Sequence, residues 1–208
     1  MSDMLLGICG LAVFLVVVFV AGYFYYKFQN ARLTGAWGPL VGLVNGKVTG
    51  DGGGGTSSTL RGTYQGRPVV ATLAPNLNVL STNNEISGAK INYFDVALTG
   101  VAGRYDWAVD FGRSVLGVGQ SGWRVETKDS ALQAALEAAG VVDLVAANGQ
   151  PSPHMQVPPV RYSSGTRTLT YSTDITPAKA PAPQQFGLMV DFLAKLAEIN
   201  ARVNPPLA

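Results

Sequence analysis

The chain has 208 residues, a formal net charge of +2 and 13% charged residues, against roughly 25% in ordinary globular proteins. Acidic and basic residues are interspersed without the basic stripe of a nucleic-acid-binding protein, so we predict no nucleic-acid partner. The single cysteine, Cys9, lies in an apolar run, which excludes disulfides, a thiolate nucleophile and a cysteine metal site from the remaining chain.

An uncharged apolar segment of 23 residues, Met4 to Tyr26, dominates the N-terminus. As a helix it would be roughly 35 Å long, enough to cross the hydrocarbon core of a bilayer. A signal peptide would begin with basic residues and have a shorter apolar stretch, whereas this N-terminus holds Asp3 and neither Lys nor Arg. The segment LGIC resembles a lipobox only loosely. We therefore predict a retained single-pass transmembrane anchor over residues 1–33.

The end of the anchor has the composition of a membrane surface, where amphipathic rings and basic side chains prefer to lie. The residues expected at this membrane interface are Tyr23, Tyr25, Tyr26, Lys27, Arg32 and Trp37. Basic residues follow the segment and none precedes it. The positive-inside rule therefore favours an N-terminus outside and a domain on the cytoplasmic side of the inner membrane of a bacterial cell. A domain rich in Gly and Thr and poor in charge would also suit the outer side.

After the anchor, TGAWGPL breaks the helical pattern. Residues 34–40 are predicted as a juxtamembrane linker, 41–204 as one soluble domain and 205–208 as a tail. Within the domain the hydrophobic period changes to two. A hairpin is expected around Gln65 and Gly66, and further strands over KINYFDVALTG, RYDWAVDFG, GWRVETK and TRTLTYSTD.

Helical patterns occur later in the chain. SALQAALEAAG is predicted as a helix capped by Asp129 or Ser130 and ended by Gly140, and the following VVDLVAA as a buried strand. Residues 184–203 form the best-defined helix, with an apolar arc wider than the usual stripe of about 100°. The arc predicts deep docking on the sheet, or contact with another membrane protein. The predicted fold is α+β, a mainly antiparallel sheet covered by a C-terminal amphipathic helix.

No stretch of the sequence specifies a catalytic or metal site. GVGQSG at 117–122 matches a dinucleotide fingerprint, but a strand follows it where the fingerprint needs a helix, so we expect a hairpin loop. TGDGGGGTSS lacks the Lys of a P-loop, and His154 is the only histidine. Asp106 and Asp110 would lie about 13 Å apart along a strand, beyond the separation of glycosidase carboxylates. Asp95 could join a carboxylate cluster in three dimensions.

These observations favour a non-catalytic membrane protein, an accessory or assembly subunit of a larger membrane complex. Its expected partners are the lipid bilayer and other membrane protein subunits, and no cofactor is expected. The alternative is a membrane-anchored module that binds or senses a small ligand. The possible ligand or partner contacts are Tyr64, Tyr93, Trp107 and Tyr171. A membrane-tethered enzyme is a third hypothesis, and it would need distant acids or hydroxyls to converge in a cleft.

Overall fold

The computed structural model describes residues 14–24, 27, 35, 37–50, 58–75, 92–112, 122–148, 158–175 and 180–206. Eight strands form one sheet in which every neighbouring pair is antiparallel. The strands are β1 (Lys47–Gly50), β2 (Ser58–Tyr64), β3 (Arg67–Pro75), β4 (Asn92–Thr99), β5 (Trp107–Gly112), β6 (Gly122–Thr127), β7 (Val160–Ser163) and β8 (Thr168–Ile175). Their spatial order is β1-β2-β3-β4-β8-β7-β5-β6.

The predicted hairpin at Gln65 and Gly66 is confirmed, because β2 and β3 pair with Tyr64 opposite Arg67. Both turn residues have positive φ, 50° and 78°. This matches the type I′ geometry that follows the twist of paired strands, and Gly66 adopts it without steric cost.

One face of the sheet carries the core. A single register row crosses all eight strands on this face. Its members, in spatial order, are Val48, Leu60, Ala71, Val96, Tyr171, Val160, Val109 and Val125. All except the edge residue Val48 are buried. The residues between them on each strand point to the other face, which is built largely of Thr, Ser, Ala and charged side chains.

The described helices that contact the sheet lie on its core face. Besides the N-terminal α1 (Phe14–Phe24), they are α2 (residues 37–43), α3 (Ser130–Ala138), α4 (Val141–Asn148) and α5 (Pro183–Val203). α5 packs against β4 and β8. Its side chains Phe186, Val190, Leu193 and Leu196 are fully buried, each contributing roughly 1.5–3 kcal/mol. The α+β fold and the deeply docked C-terminal helix are confirmed.

The segment VVDLVAA is a helix, so the prediction of a buried strand was wrong. Asp129 caps α3 by accepting a hydrogen bond from the Leu132 backbone N–H at 2.8 Å, as predicted. Gly140, with φ of 74°, follows α3, and the chain re-enters a helix at once. Val141 and Val145 are buried one helical turn apart. A short apolar run has no periodicity that separates a buried strand from a buried helix, and here tertiary packing selects the helix.

The linker predicted at 34–40 overlaps the core. Trp37, Leu40 and Val44 are 0–1% exposed, and their spacing places them on one face of a helical turn. The folded domain therefore includes α2. Among the residues that the structure describes, no single helix is long and apolar enough to cross a membrane. α1 is a shorter apolar helix, and α3 with α4 meets the length and composition only as a pair bent by 62°.

Candidate functional site

The first candidate site is the apolar surface of α1. Every residue of this helix is exposed, with Phe14 and Phe19 at 63% and 77%. A contiguous exposed apolar surface of this kind marks a site of interaction with lipid or with another protein. α1 is therefore the candidate contact.

The residues predicted at the membrane interface fall into three groups. Tyr23 is 61% exposed and lies edge-on to Phe24, with ring centroids 5.8 Å apart. Lys27 is also exposed. Tyr25, Tyr26 and Arg32 lie outside the described residues. Contact of these side chains with a membrane stays a prediction.

Trp37, which was also predicted at the interface, lies in the core of the domain. Its side chain is fully buried, its Nε1 donates a hydrogen bond to Ser58 Oγ at 2.7 Å, and its ring centroid is 5.7 Å from that of Phe94. A ring without exposed surface cannot lie among headgroups, so this part of the prediction was wrong. This buried helix was not predicted from the sequence, although the spacing of Trp37, Leu40 and Val44 is a helical pattern from which it could have been predicted.

The four aromatic residues proposed to contact a ligand do not line one cavity. Tyr64 and Trp107 lie on β2 and β5, five strand positions apart, which is about 24 Å. Tyr171 lies on β8 between them, and the side chain of Tyr93 lies outside the described residues. Tyr64 packs over Gly187 of α5, where an added Cβ would be 2.9 Å from the tyrosine oxygen.

Tyr171 and Trp107 are bound within the protein. The Tyr171 hydroxyl donates to the Asn148 carbonyl at 3.2 Å, and its ring is edge-on to Phe192 at 5.4 Å. Burial raises the pKa of Tyr171 above its ordinary value, since the charged phenolate would lose its water. Trp107 is 2% exposed and donates through Nε1 to Asn200 Oδ1 at 2.7 Å. Both side chains therefore hold helices on the sheet.

A buried amide cluster at the end of α5 was not anticipated from the sequence. Asn200 and Asn204 are 0% and 2% exposed. Asn200 Nδ2 donates to the Ala102 carbonyl at 2.6 Å, and Asn204 Nδ2 donates to the Tyr105 carbonyl at 2.9 Å and to Asn200 Oδ1 at 3.0 Å. Asn204 Oδ1 accepts from the Tyr105 backbone N–H at 3.0 Å. The two amides satisfy a loop backbone and fix the 101–106 segment against the helix.

The carboxylates of the domain are engaged separately. Asp95 forms an ion pair with Arg161 at 3.2 Å, and Arg161 also donates to Ser172 Oγ at 3.0 Å. Asp95 and Asp110 are three strand positions apart, about 14 Å, so they form no acid–base pair of the glycosidase kind.

Asp106 lies just before β5 and accepts from both the Ser164 hydroxyl and backbone N–H at 2.6 Å. These two bonds hold the pKa of Asp106 below its ordinary value. Its position ties the start of β5 to the turn between β7 and β8, which is a structural role.

The remaining motifs also have a structural setting. GVGQSG and the Gly-rich stretch connect β5 to β6 and β1 to β2, two pairs of adjacent antiparallel strands. Residues 117–121 and 51–57 lie outside the described residues, and each stretch is followed by a strand rather than by the helix of a dinucleotide or phosphate loop. His154 lies outside the described residues. Within the described ranges, no group of three His, Cys, Asp or Glu side chains could hold a metal ion.

Comparison with known proteins adds no relative. No protein-family model matches the chain, and neither a curated protein nor a solved structure matches it.

Proposed function

We propose that the protein is a single-span, non-catalytic membrane protein that serves as an accessory or assembly subunit of a larger membrane complex. The observation that carries this proposal is α1, an apolar helix with every residue exposed. α1 lies within the uncharged segment from Met4 to Tyr26, which as a helix is long enough to span a bilayer. The anchor would hold the α+β domain at the membrane surface, where a high local concentration favours docking on a partner.

The geometry of the domain supports a non-catalytic role. Asp95, Asp106 and Asp110 lie apart, and they are bound by Arg161, Ser164 and local backbone respectively. Its buried amide side chains, Asn200 and Asn204, satisfy backbone groups of the same chain. The alternative of a small-ligand module has less support, because Tyr64 and Trp107 are about 24 Å apart on the sheet.

Membrane attachment is tested by placing charges in α1. The double variant Val16→Arg and Phe19→Arg puts two arginines into the apolar helix. Each arginine raises the free energy of inserting the helix into a bilayer by about 2.5–3.5 kcal/mol. We expect this variant to move from the carbonate-resistant membrane fraction to the soluble fraction. The matched control is Leu188→Arg, because Leu188 is an equally exposed apolar residue, 65%, on α5 of the domain. Release of both variants, or of neither, would contradict anchoring by α1.

The sidedness and the partner need separate experiments. A chain with Cys9→Ser and Lys195→Cys carries one thiol, on the exposed side of α5. A cytoplasmic domain predicts labelling by an impermeant maleimide only after the cells are lysed. The accessory role predicts that gentle detergent extraction and affinity purification recover a stoichiometric membrane protein with the chain. Recovery of the chain without any such protein would refute that role.

A further inference from the structure

β6 is an edge strand of the described sheet. Among the described strands, β6 pairs with β5 alone and closes one side of the sheet, and the four-residue β1 closes the other. β6 has six residues and no proline. No other described strand pairs with its outer edge, which therefore presents backbone N–H and C=O groups that can accept another strand. α3 and α4 also contact β6, and their buried side chains join the core cluster together with Val125, so they lie on the core face of the strand.

The two faces of β6 differ in chemistry. On the core face Val125 is 3% exposed, and Trp123 is half-buried with its ring centroid 5.3 Å from that of Phe111. On the opposite face Arg124 and Glu126 form an exposed ion pair at 2.8 Å, with 61% and 44% of their side chains accessible. A cation and an anion thus flank Val125 on the polar face of the edge strand.

We propose that the β6 strands of two copies of this chain pair antiparallel about Val125, joining their sheets across a two-fold axis. A two-fold interface brings the same edge of both copies together. The core and polar faces of the two sheets align only when odd-numbered residues of β6 lie opposite odd-numbered residues of the other copy, and even-numbered opposite even-numbered. A one-residue shift would turn every side chain to the other face.

The charges on β6 distinguish among the pairing registers centred on residues 124, 125 and 126. Centring the pairing on residue 124 places Arg124 opposite its own copy, and centring it on residue 126 places Glu126 opposite its own copy. Like charges directly opposite are destabilising. Centring on Val125 places Arg124 of each copy opposite Glu126 of the other, which gives two opposite-charge pairs and puts Val125 against Val125 on the core face.

The interface is small, since one six-residue strand is added to each sheet, and its area is well below the roughly 1,200 Å² of a standard stable complex. We therefore expect weak association of the chain free in solution. Two chains held in one bilayer meet at a much higher effective concentration. This inference goes beyond the proposed function, because it names a second copy of the chain as a partner and the strand that binds it.

The test is co-purification of two differently tagged full-length chains that are expressed together and cross-linked in the membrane with an amine-reactive reagent before extraction in mild detergent. Arg124→Glu in both chains, or Glu126→Arg in both chains, places two like-charge pairs in the interface. We expect each to weaken co-purification about tenfold or more relative to the natural pair. Combining one Arg124→Glu chain with one Glu126→Arg chain restores two opposite-charge pairs and should restore co-purification. Both side chains are exposed, and circular dichroism of each variant checks that the fold is retained.

The mixed pair distinguishes the interface from an effect within one chain. Neither variant can form the Arg124–Glu126 ion pair within its own strand, so recovery in the mixture requires contact between copies. The inference is overturned if the natural chains do not co-purify, if reversal of charge leaves co-purification unchanged as in association through α1, or if the mixed pair stays apart. None of these outcomes alters the test of anchoring with the α1 arginines.

Discussion

Replacement of Asn200 by alanine tests whether the buried amide cluster holds α5 on the sheet. Asn200 is fully buried and bonds the Trp107 Nε1–H and the Ala102 carbonyl at 2.7 Å and 2.6 Å. The variant leaves the buried Trp107 Nε1–H and the half-buried Ala102 carbonyl without this partner. The expected loss of stability is about 1–3 kcal/mol for the donor and about 1 kcal/mol for the acceptor. Asn204 keeps its bond to the Tyr105 carbonyl. We therefore expect Asn200→Ala to lower the free energy of unfolding by about 3 kcal/mol.

The assay is urea unfolding followed by tryptophan fluorescence, with Lys195→Gln as the control because Lys195 is exposed on the same helix. The control should change stability by less than about 0.5 kcal/mol. Trp107→Phe removes the donor that Asn200 satisfies, so the double variant should be about 1–2 kcal/mol more stable than the sum of the single losses. Strict additivity, or a loss below about 1 kcal/mol for Asn200→Ala, would refute the role of this cluster.

Three further predictions concern the domain. Trp37→Ala should lower the free energy of unfolding by about 3–5 kcal/mol, because the ring is fully buried; a wild-type urea midpoint would place the ring outside the core. Gly103→Ala should destabilise the domain by about 1–3 kcal/mol, since the added Cβ would lie 2.6 Å from the Tyr162 hydroxyl; a thermal melt checks this. Asp106 has a folded-state pKa below its ordinary 3.8 because of Ser164, so its stabilisation is present above about pH 4 and is lost as the pH falls through the folded-state value. Asp106→Asn should therefore flatten the fall in urea midpoint below about pH 4, and an unchanged acid limb would contradict this.

Local patterns in the sequence predicted most of the sheet. The alternation in RYDWAVDFG identified Trp107 and Val109 as core residues, and both are buried. The Gln65–Gly66 turn, the Asp129 cap and the docked C-terminal helix also follow from short-range chemistry. These features are predictable because period, cap and turn depend on neighbours in the chain.

Features that depend on distant residues could not be predicted. The strand order places β8 and β7 between β4 and β5, and no local pattern records which strands become neighbours. The same is true of Asn200, which bonds a tryptophan 93 residues away in sequence, and of α4, whose short apolar run fits either a strand or a helix. From sequence alone, a polar side chain near a helix end is predicted to be exposed. Only the tertiary structure shows the distant segment whose backbone groups it binds.

By itself the sequence determined an uncharged apolar N-terminus, an antiparallel α+β domain and the lack of any contiguous catalytic motif, because composition and periodicity act over a few residues. Only the tertiary structure decided where the aromatic residues lie. Trp37 reads equally well as a membrane-surface or a core residue, since both environments suit an amphipathic ring. Its hydrogen bond to Ser58 and its contact with Phe94 come from strands that follow it in the chain, and they place it in the core.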